Sequence, residues 1–196
     1  VTGVDLSSAM LDIARCKVRE QGLEDRVSLV QQDMRELDLK NRYRFAFAAV
    51  NTFMSLTDTG DQLATLSSIR EHLAPGGLLL LDLFNPDLGR LLDAQGQLVL
   101  EKVMDEPETG HQIIKFHSQT VDPVEQHIHV KVILDRLGGT GQVERTLFPY
   151  TLRYLYRQEL ELLLQQSRFE LEAIYGSYDL DEFTADSDKM IVVARL

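Results

Sequence analysis

The sequence predicts an α/β fold: a largely parallel sheet with helices packed on it, closed by an antiparallel hairpin and interrupted by an inserted antiparallel β meander. Three observations carry this. Short apolar strands alternate with helical spacing from Val1 to Leu83. Between Gln97 and Tyr150 that texture gives way to strict two-residue alternation. The last two strands are joined by a connection too short for a helical crossover, which forces them antiparallel. The expected division is a core of residues 1–88 and 151–196, with residues 89–150 as the insertion.

The first stretch reads as a strand ending on Asp5 that turns at once into a helix. A carboxylate at the carboxyl end of a parallel strand sits at the crevice where ligands bind in open α/β sheets, and it can accept both hydroxyl hydrogens of a ribose. The alternative is that Asp5 only helps to cap the turn. Ser7 or Ser8 supplies the helix cap, and Leu11, Ala14 and Val18 give the helix a face to lay on the sheet. Gly22 ends the helical pattern. Arg26 to Gln32 reads as the next strand, stopping at a second acid, Asp33, followed by Met34.

Phe45 to Val50 is a continuous apolar run of the kind expected for a central strand covered on both faces. It leads into Asn51, Thr52, Phe53, Met54, Ser55 and Leu56, a loop expected at the same sheet edge as Asp5 and Asp33. A helix follows from Asp61 to Leu73, with Leu63, Leu66, Ile69, Arg70 and Leu73 at helical spacing. Ala-Pro-Gly-Gly then marks a stop, and Leu78 to Leu83 reads as a fourth buried strand. The carboxyl ends of the strands finishing at Asp5, Asp33, Val50 and Asp82 are expected to share one edge of a single sheet.

In the insertion, alternation places Ile114, Phe116, Ser118 and Thr120 on one side of a strand, then Ile128, Val130, Val132 and Leu134, then Val143, Arg145 and Leu147. Breaks at residues 106–110, 122–123 and 138–141 divide it into roughly four strands. The core resumes with a helix from Arg157 to Gln166 whose Leu160, Leu163 and Leu164 face inward, and the strands Phe169–Tyr175 and Lys189–Leu196 complete the chain.

A length of 196 residues, 44% of them hydrophobic, is enough for one domain with a core and no disulfide staples. The single Cys16 reads as a reduced, partly buried thiol of a cytoplasmic protein. No apolar run has the length of a membrane span. The net charge of −11 argues against a nucleic-acid surface, which needs clustered Lys and Arg, and favours a small-molecule substrate. His127 and His129 share a strand face and His117 lies opposite, but without a placed carboxylate or thiolate they give no metal site. The acidic turn Asp179, Asp181, Glu182 lacks the spacing and glycine of a calcium loop.

Gly-Val-Asp-Leu-Ser followed by a Met, and the order helix, Leu-x-Pro-Gly-Gly, apolar strand ending on Asp82-Leu83-Phe84-Asn85-Pro86, resemble the class I S-adenosylmethionine-dependent methyltransferases. The resemblance covers roughly residues 1–86 and 157–196. It implies a Rossmann-like methyltransferase sheet, with S-adenosylmethionine as cofactor. Under it Asp5 holds the ribose hydroxyls, Asp33 faces the exocyclic amine of adenine, and Met34 packs on the ring. Leu6 and Val50 are further cofactor-binding candidates, and Asn51 is a candidate to hold either the substrate or the methionine end. Small-molecule members of the family, including glycine and amino-sugar N-methyltransferase types, carry an insertion here as a wall over the substrate or a dimer surface, so a homodimer is an expectation.

For the substrate, Asn51, Phe53, Asn85 and Tyr154 are the candidates, with Tyr150 and Tyr156 near them; as alternatives, Asn51 caps the following turn and the aromatics pack the core. Methyl transfer is an in-line displacement that rests on positioning, so no obligatory base is expected and no catalytic residue is assigned. The acceptor is expected to be a small-molecule nitrogen or oxygen. The family's glycine-rich loop and first strand are not found ahead of Asp5. Their absence predicts a gap of roughly twice the 4.8 Å strand spacing between the strands ending at Asp5 and Val50. Two rival readings stay open: a dinucleotide-binding oxidoreductase, and a non-catalytic domain acting in dimerisation.

Overall fold

The structure, a computed structural model, describes residues 1–107, 109–138 and 141–196. β1 (Thr2–Asp5) leads into α1 (Ser8–Glu20), and β2 (Ser28–Gln31) returns parallel to β1 with Asp5 opposite Gln31. Ser7 caps α1, its Oγ accepting the Met10 N–H at 3.3 Å, and Gly22 takes φ +62° where the helix ends. Of the expected helix face, Leu11 is buried, while Ala14 and Val18 are only partly so. Cys16 is exposed rather than partly buried.

The second sheet has the order β3-β4-β10-β9, with β3 (Tyr43–Ala48) parallel to β4 (Leu73–Phe84) and β10 (Lys189–Arg195) antiparallel to both β4 and β9 (Glu170–Tyr175). The C-terminal hairpin is thus as expected. Its core lies on one face: Leu79, Leu81 and Leu83 of β4 and Val192 and Ala194 of β10 are buried against α2 (Thr59–His72), α4 (Arg157–Gln166) and the insertion. Leu160, Leu163 and Leu164 of α4 are 1%, 4% and 0% exposed, so the inward face read from their spacing is the packed one. Each fully buried leucine contributes roughly 2 kcal/mol.

Two expectations need correction here. β3 is not covered on both faces, since Phe45 and Phe47 are 49% and 60% exposed, and they share their face with Leu78 and Leu80 through the β3–β4 register. Nor do the four strand tips belong to one hydrogen-bonded sheet. Among the described residues β1 pairs only with β2, and β3 only with β4, so the sheet is split between β1 and β3. The Tyr43 hydroxyl reaches across, donating to Thr2 Oγ1 at 2.8 Å. The physical reason is the same for both: among the described residues no strand pairs with both β1 and β3, and Phe45 and Phe47 stay exposed. The Leu-Ala-Pro-Gly-Gly stretch also differs from expectation, because it forms the irregular start of β4, with a register shift between Tyr43 and Phe45, rather than a separate turn.

The third sheet is the meander, β5 (Val99–Asp105), β6 (Gln112–Asp122), β7 (His127–Leu137) and β8 (Val143–Arg153), antiparallel throughout. A short helix, α3 (Leu88–Asp93), precedes it and was not legible in the sequence. The connections fall at the predicted breaks; Glu108, Gly139 and Thr140 of those breaks lie outside the described residues. Ile128, Val130, Val132 and Leu152 lay one end of this sheet on the core. The joint is polar as well: Arg153 pairs with Glu159 of α4 and donates to Gln62 Oε1 of α2 at 2.7 Å, while Gln126 donates to Glu159 at 2.9 Å.

Candidate functional site

Parallel pairing puts the tips of β1 and β2 side by side, and local bonds fix what projects from them. The Gln32 N–H donates to Asp5 O at 3.2 Å, and the Gln31 side-chain amide donates to Leu6 O at 3.0 Å. Asp5 Oδ1 accepts the Ser7 N–H at 2.8 Å, so the cap alternative is realised on one oxygen and leaves Oδ2 without a donor among the described residues. Asp33 opens a short 3-10 turn, Met34–Glu36, by accepting the Arg35 N–H at 2.9 Å. The two carboxylates therefore border one cleft of about 370 Å³, together with Leu6, Met34, Arg35, Thr52, Ser55 and Asp61. Its mixed lining, with the acids Asp5, Asp33 and Asp61 beside the apolar Val4, Met34 and Leu56, suits a flat base attached to a hydroxylated ring.

Arg35 dominates the electrostatics. Its guanidinium grips both oxygens of Asp33, with Nη2 to Oδ2 at 2.6 Å and Nε to Oδ1 at 3.0 Å, and its Nη1 donates to Asp61 Oδ2 at 2.9 Å. The side-chain bonds from Arg35, then its backbone N–H, hold Asp33 below the usual carboxylate range, and the two acids push Arg35 up in turn. Sequence reasoning missed both Arg35 and Asp61. The acid–x–Arg spacing at the end of β2 was the available signal for the first; Asp61 becomes a partner only when α2 packs on the 3-10 turn.

At the tip of β3, Val50 and Asn51 both adopt the left-handed region, with φ of +56° and +60°, a costly conformation for a β-branched residue. The end of β4 clamps it. Asp82 Oδ2 accepts the Val50 N–H at 2.8 Å, Asp82 O accepts the Asn51 N–H at 3.0 Å, and Asn51 Oδ1 accepts the Phe84 N–H at 2.7 Å. The Asp82 carboxylate is buried and also accepts the Tyr178 hydroxyl at 2.8 Å and Lys189 Nζ at 3.1 Å. Burial pushes Asp82 up, yet the three donors outweigh it and hold the carboxyl below its ordinary value. Lys189, pulled down by burial, is raised on balance by Asp82.

Of the residues singled out from sequence, the cleft thus collects Asp5, Leu6, Asp33 and Met34. Val50 and Asn51 stand at the neighbouring strand tip, where the Asn51 amide oxygen ties β3 to β4 and makes no cap to the following turn. Phe53 and Tyr154 are 0% and 1% exposed and pack in the core, so they offer no surface to a ligand; burial pushes the Tyr154 hydroxyl up. Asn85 donates its amide to Ala185 O at 3.2 Å and Ser187 O at 2.9 Å, which stitches the C-terminal loop to β4. Tyr150 and Tyr156 are exposed. His127 Nε2 bonds with Thr57 O at 3.1 Å and His129 Nδ1 with Thr151 Oγ1 at 3.0 Å. Among the described residues no three His, Cys, Asp or Glu side chains stand close enough to hold a metal, and no helix is long and apolar enough to cross a membrane.

The comparisons agree with this geometry. Residues 1–77 match the family model described as a methyltransferase domain. The chain is 25% identical over 193 residues to the cypemycin N-terminal methyltransferase of a Streptomyces species, covering 98% of this chain and 73% of that protein. The CcbJ methyltransferase of Streptomyces caelestis superposes over the whole chain with a TM-score of 0.81 at 28% identity, and 78% of that chain is covered. CalS10, an amino pentose methyltransferase of Micromonospora echinaspora solved with S-adenosylmethionine bound, shares the fold with a TM-score of 0.72 at 19% identity, over 100% of this chain and 73% of that one. Two acids on adjacent parallel tips, an antiparallel C-terminal hairpin and these likenesses give the chain the fold of the class I S-adenosylmethionine-dependent methyltransferases, with a methyltransferase domain matched over residues 1–77.

Proposed function

We propose that this protein transfers the methyl group of S-adenosylmethionine to a nitrogen or oxygen of a small molecule, with the adenosyl part of the cofactor in the cleft between β1 and β2. The carrying observation is the pair Asp5 and Asp33 on neighbouring tips, one oxygen of Asp5 free for ribose hydroxyls and Met34 beside the position of the base. Leu6 lines the cleft from the β1 side, and Val50 and Asn51, at the neighbouring strand tip, are the residues proposed for the methionine end. The residues fit the cofactor's chemistry, since hydroxyls and an amine are donors and the cleft presents acceptors. What the bound cofactor supplies is an electrophilic methyl on a sulfonium.

This chain's own part is to hold the acceptor in line and keep it dry, which alone is worth several kcal/mol. Asn51 keeps its amide N–H2 for a substrate oxygen, its amide oxygen being the atom that ties it to Phe84. The names of the relatives, an N-terminal methyltransferase and an amino pentose methyltransferase, favour an amine acceptor. The β8 strand exposes Leu147, Phe148 and Tyr150, and a second copy of the chain is the proposed cover.

The test is transfer of labelled methyl from S-adenosylmethionine by the intact protein across a panel of small amines and alcohols. Turnover with amines that rises with pH as they lose their protons is the expected result. Binding of S-adenosylhomocysteine without transfer to any acceptor would instead favour the non-catalytic reading.

A further inference from the structure

Asp33 is bonded in a way that leaves it one defined vacancy. A carboxylate offers about four lone-pair positions in its plane. On Oδ1 the Arg35 N–H and Arg35 Nε fill both, at 2.9 and 3.0 Å; on Oδ2, Arg35 Nη2 fills one at 2.6 Å, with Nε shared at 3.1 Å. The other end of the same guanidinium is anchored on Asp61 Oδ2, in the first turn of α2, at 2.9 Å. A planar fork held at both ends stops the carboxylate from rotating, and among the described residues it leaves a single unfilled acceptor position, on Oδ2 of a residue that lines the cleft.

We propose that Arg35, braced by Asp61, is a positioning residue that makes this cleft select a 6-aminopurine over a 6-oxopurine by presenting Asp33 as a fixed single acceptor. This rests on the reading of the cleft as the adenosyl site. An exocyclic amine brings the one donor that the vacancy needs. A 6-oxo group brings a lone pair to a carboxylate that has no proton to give, and the contact turns repulsive. A carboxylate free to rotate, or to take up a proton, would discriminate less. Arg35 is partly exposed, so its bulk charge is screened by water and the effect lies in the geometry of the fork.

The experiment is calorimetric titration of the intact protein with S-adenosylhomocysteine and with its 6-oxo analogue, S-inosylhomocysteine, for wild type, Asp33→Asn, Arg35→Met, Arg35→Lys and Asp61→Asn. Wild type should prefer the amino form by on the order of ten- to a hundredfold, the worth of one hydrogen bond to a charged group. Arg35→Met should lose most of that preference, Arg35→Lys should not restore it because an ammonium cannot grip both oxygens, and Asp61→Asn should fall between. If Arg35→Met weakens both ligands equally and keeps the ratio, or if Lys restores it fully, the proposal is wrong while the site stands. If wild type binds neither ligand, or Asp33→Asn leaves both affinities unchanged, the adenosyl site itself is wrong, and the proposal falls with it.

Discussion

Asp82 carries more of the site than its place at a strand end suggests. Three donors from three parts of the chain converge on its buried carboxylate, and one of them is the N–H of the strained Val50. Its depressed pKa means that its stabilisation is complete above the ordinary carboxylate value near 3.9 and is lost as pH falls through the lower folded value. Asp82→Ala should therefore cost about 3 kcal/mol at pH 7, leaving Lys189 without its partner, and should flatten the acid limb of the stability curve; denaturant titrations at pH 7 and pH 3 check both. A loss equal at the two pH values would mean that packing rather than charge is at stake. At Asp5 the effect should be on binding and not on the fold. Removing the carboxylate by Asp5→Ala should raise the dissociation constant for S-adenosylhomocysteine at least about tenfold, with the melting temperature of the free protein little changed.

At the scale of elements, what could be read in advance was what local pattern determines. The four strands of the meander, the inward leucines of α4 and the antiparallel hairpin follow from alternation, helical spacing and connection length, and each stands where the pattern put it. Asp5 and Asp33 were legible because a strand tip in a parallel pair has only one place to go. The burial of Phe53 and Tyr154 was not, since an aromatic residue after a strand reads alike whether it lines a cleft or fills a core. The pairs Arg35–Asp61 and Lys189–Asp82 join residues far apart in the chain, and a single sequence holds no record of such pairs. The joint between insertion and core gives a check of its own. Leu164→Ala should cost about 2–5 kcal/mol by opening a cavity under the sheet. Glu159→Ala, which strips Arg153 and Gln126 of their shared acceptor, should cost about 2 kcal/mol. Chemical denaturation measures both, and a neutral Glu159→Ala would mean that apolar contact alone holds the joint.

Across the whole molecule the stability is uneven. The β4–β10 pair sits in the largest core, while β1, β2 and α1 bury little beyond Leu11, and a two-stranded unit of that kind is marginal by itself. Hydrogen exchange on residues 1–196 should show β1 and β2 amides opening well before those of β4 and β10, and S-adenosylhomocysteine should slow exchange first at Leu6 and Ser7. Equal protection in both sheets would show that the split between β1 and β3 does not weaken the fold. The cleft proposed for the cofactor thus borders the strands that bury least. The most direct test is a crystal structure of the intact protein with S-adenosylhomocysteine. The account predicts the ribose hydroxyls on Asp5, the adenine amine on Asp33 Oδ2 with Arg35 still on Asp61, and the base against Met34. Adenosine seated away from these strand tips, for instance under the meander beside His129 and Tyr150, would contradict it.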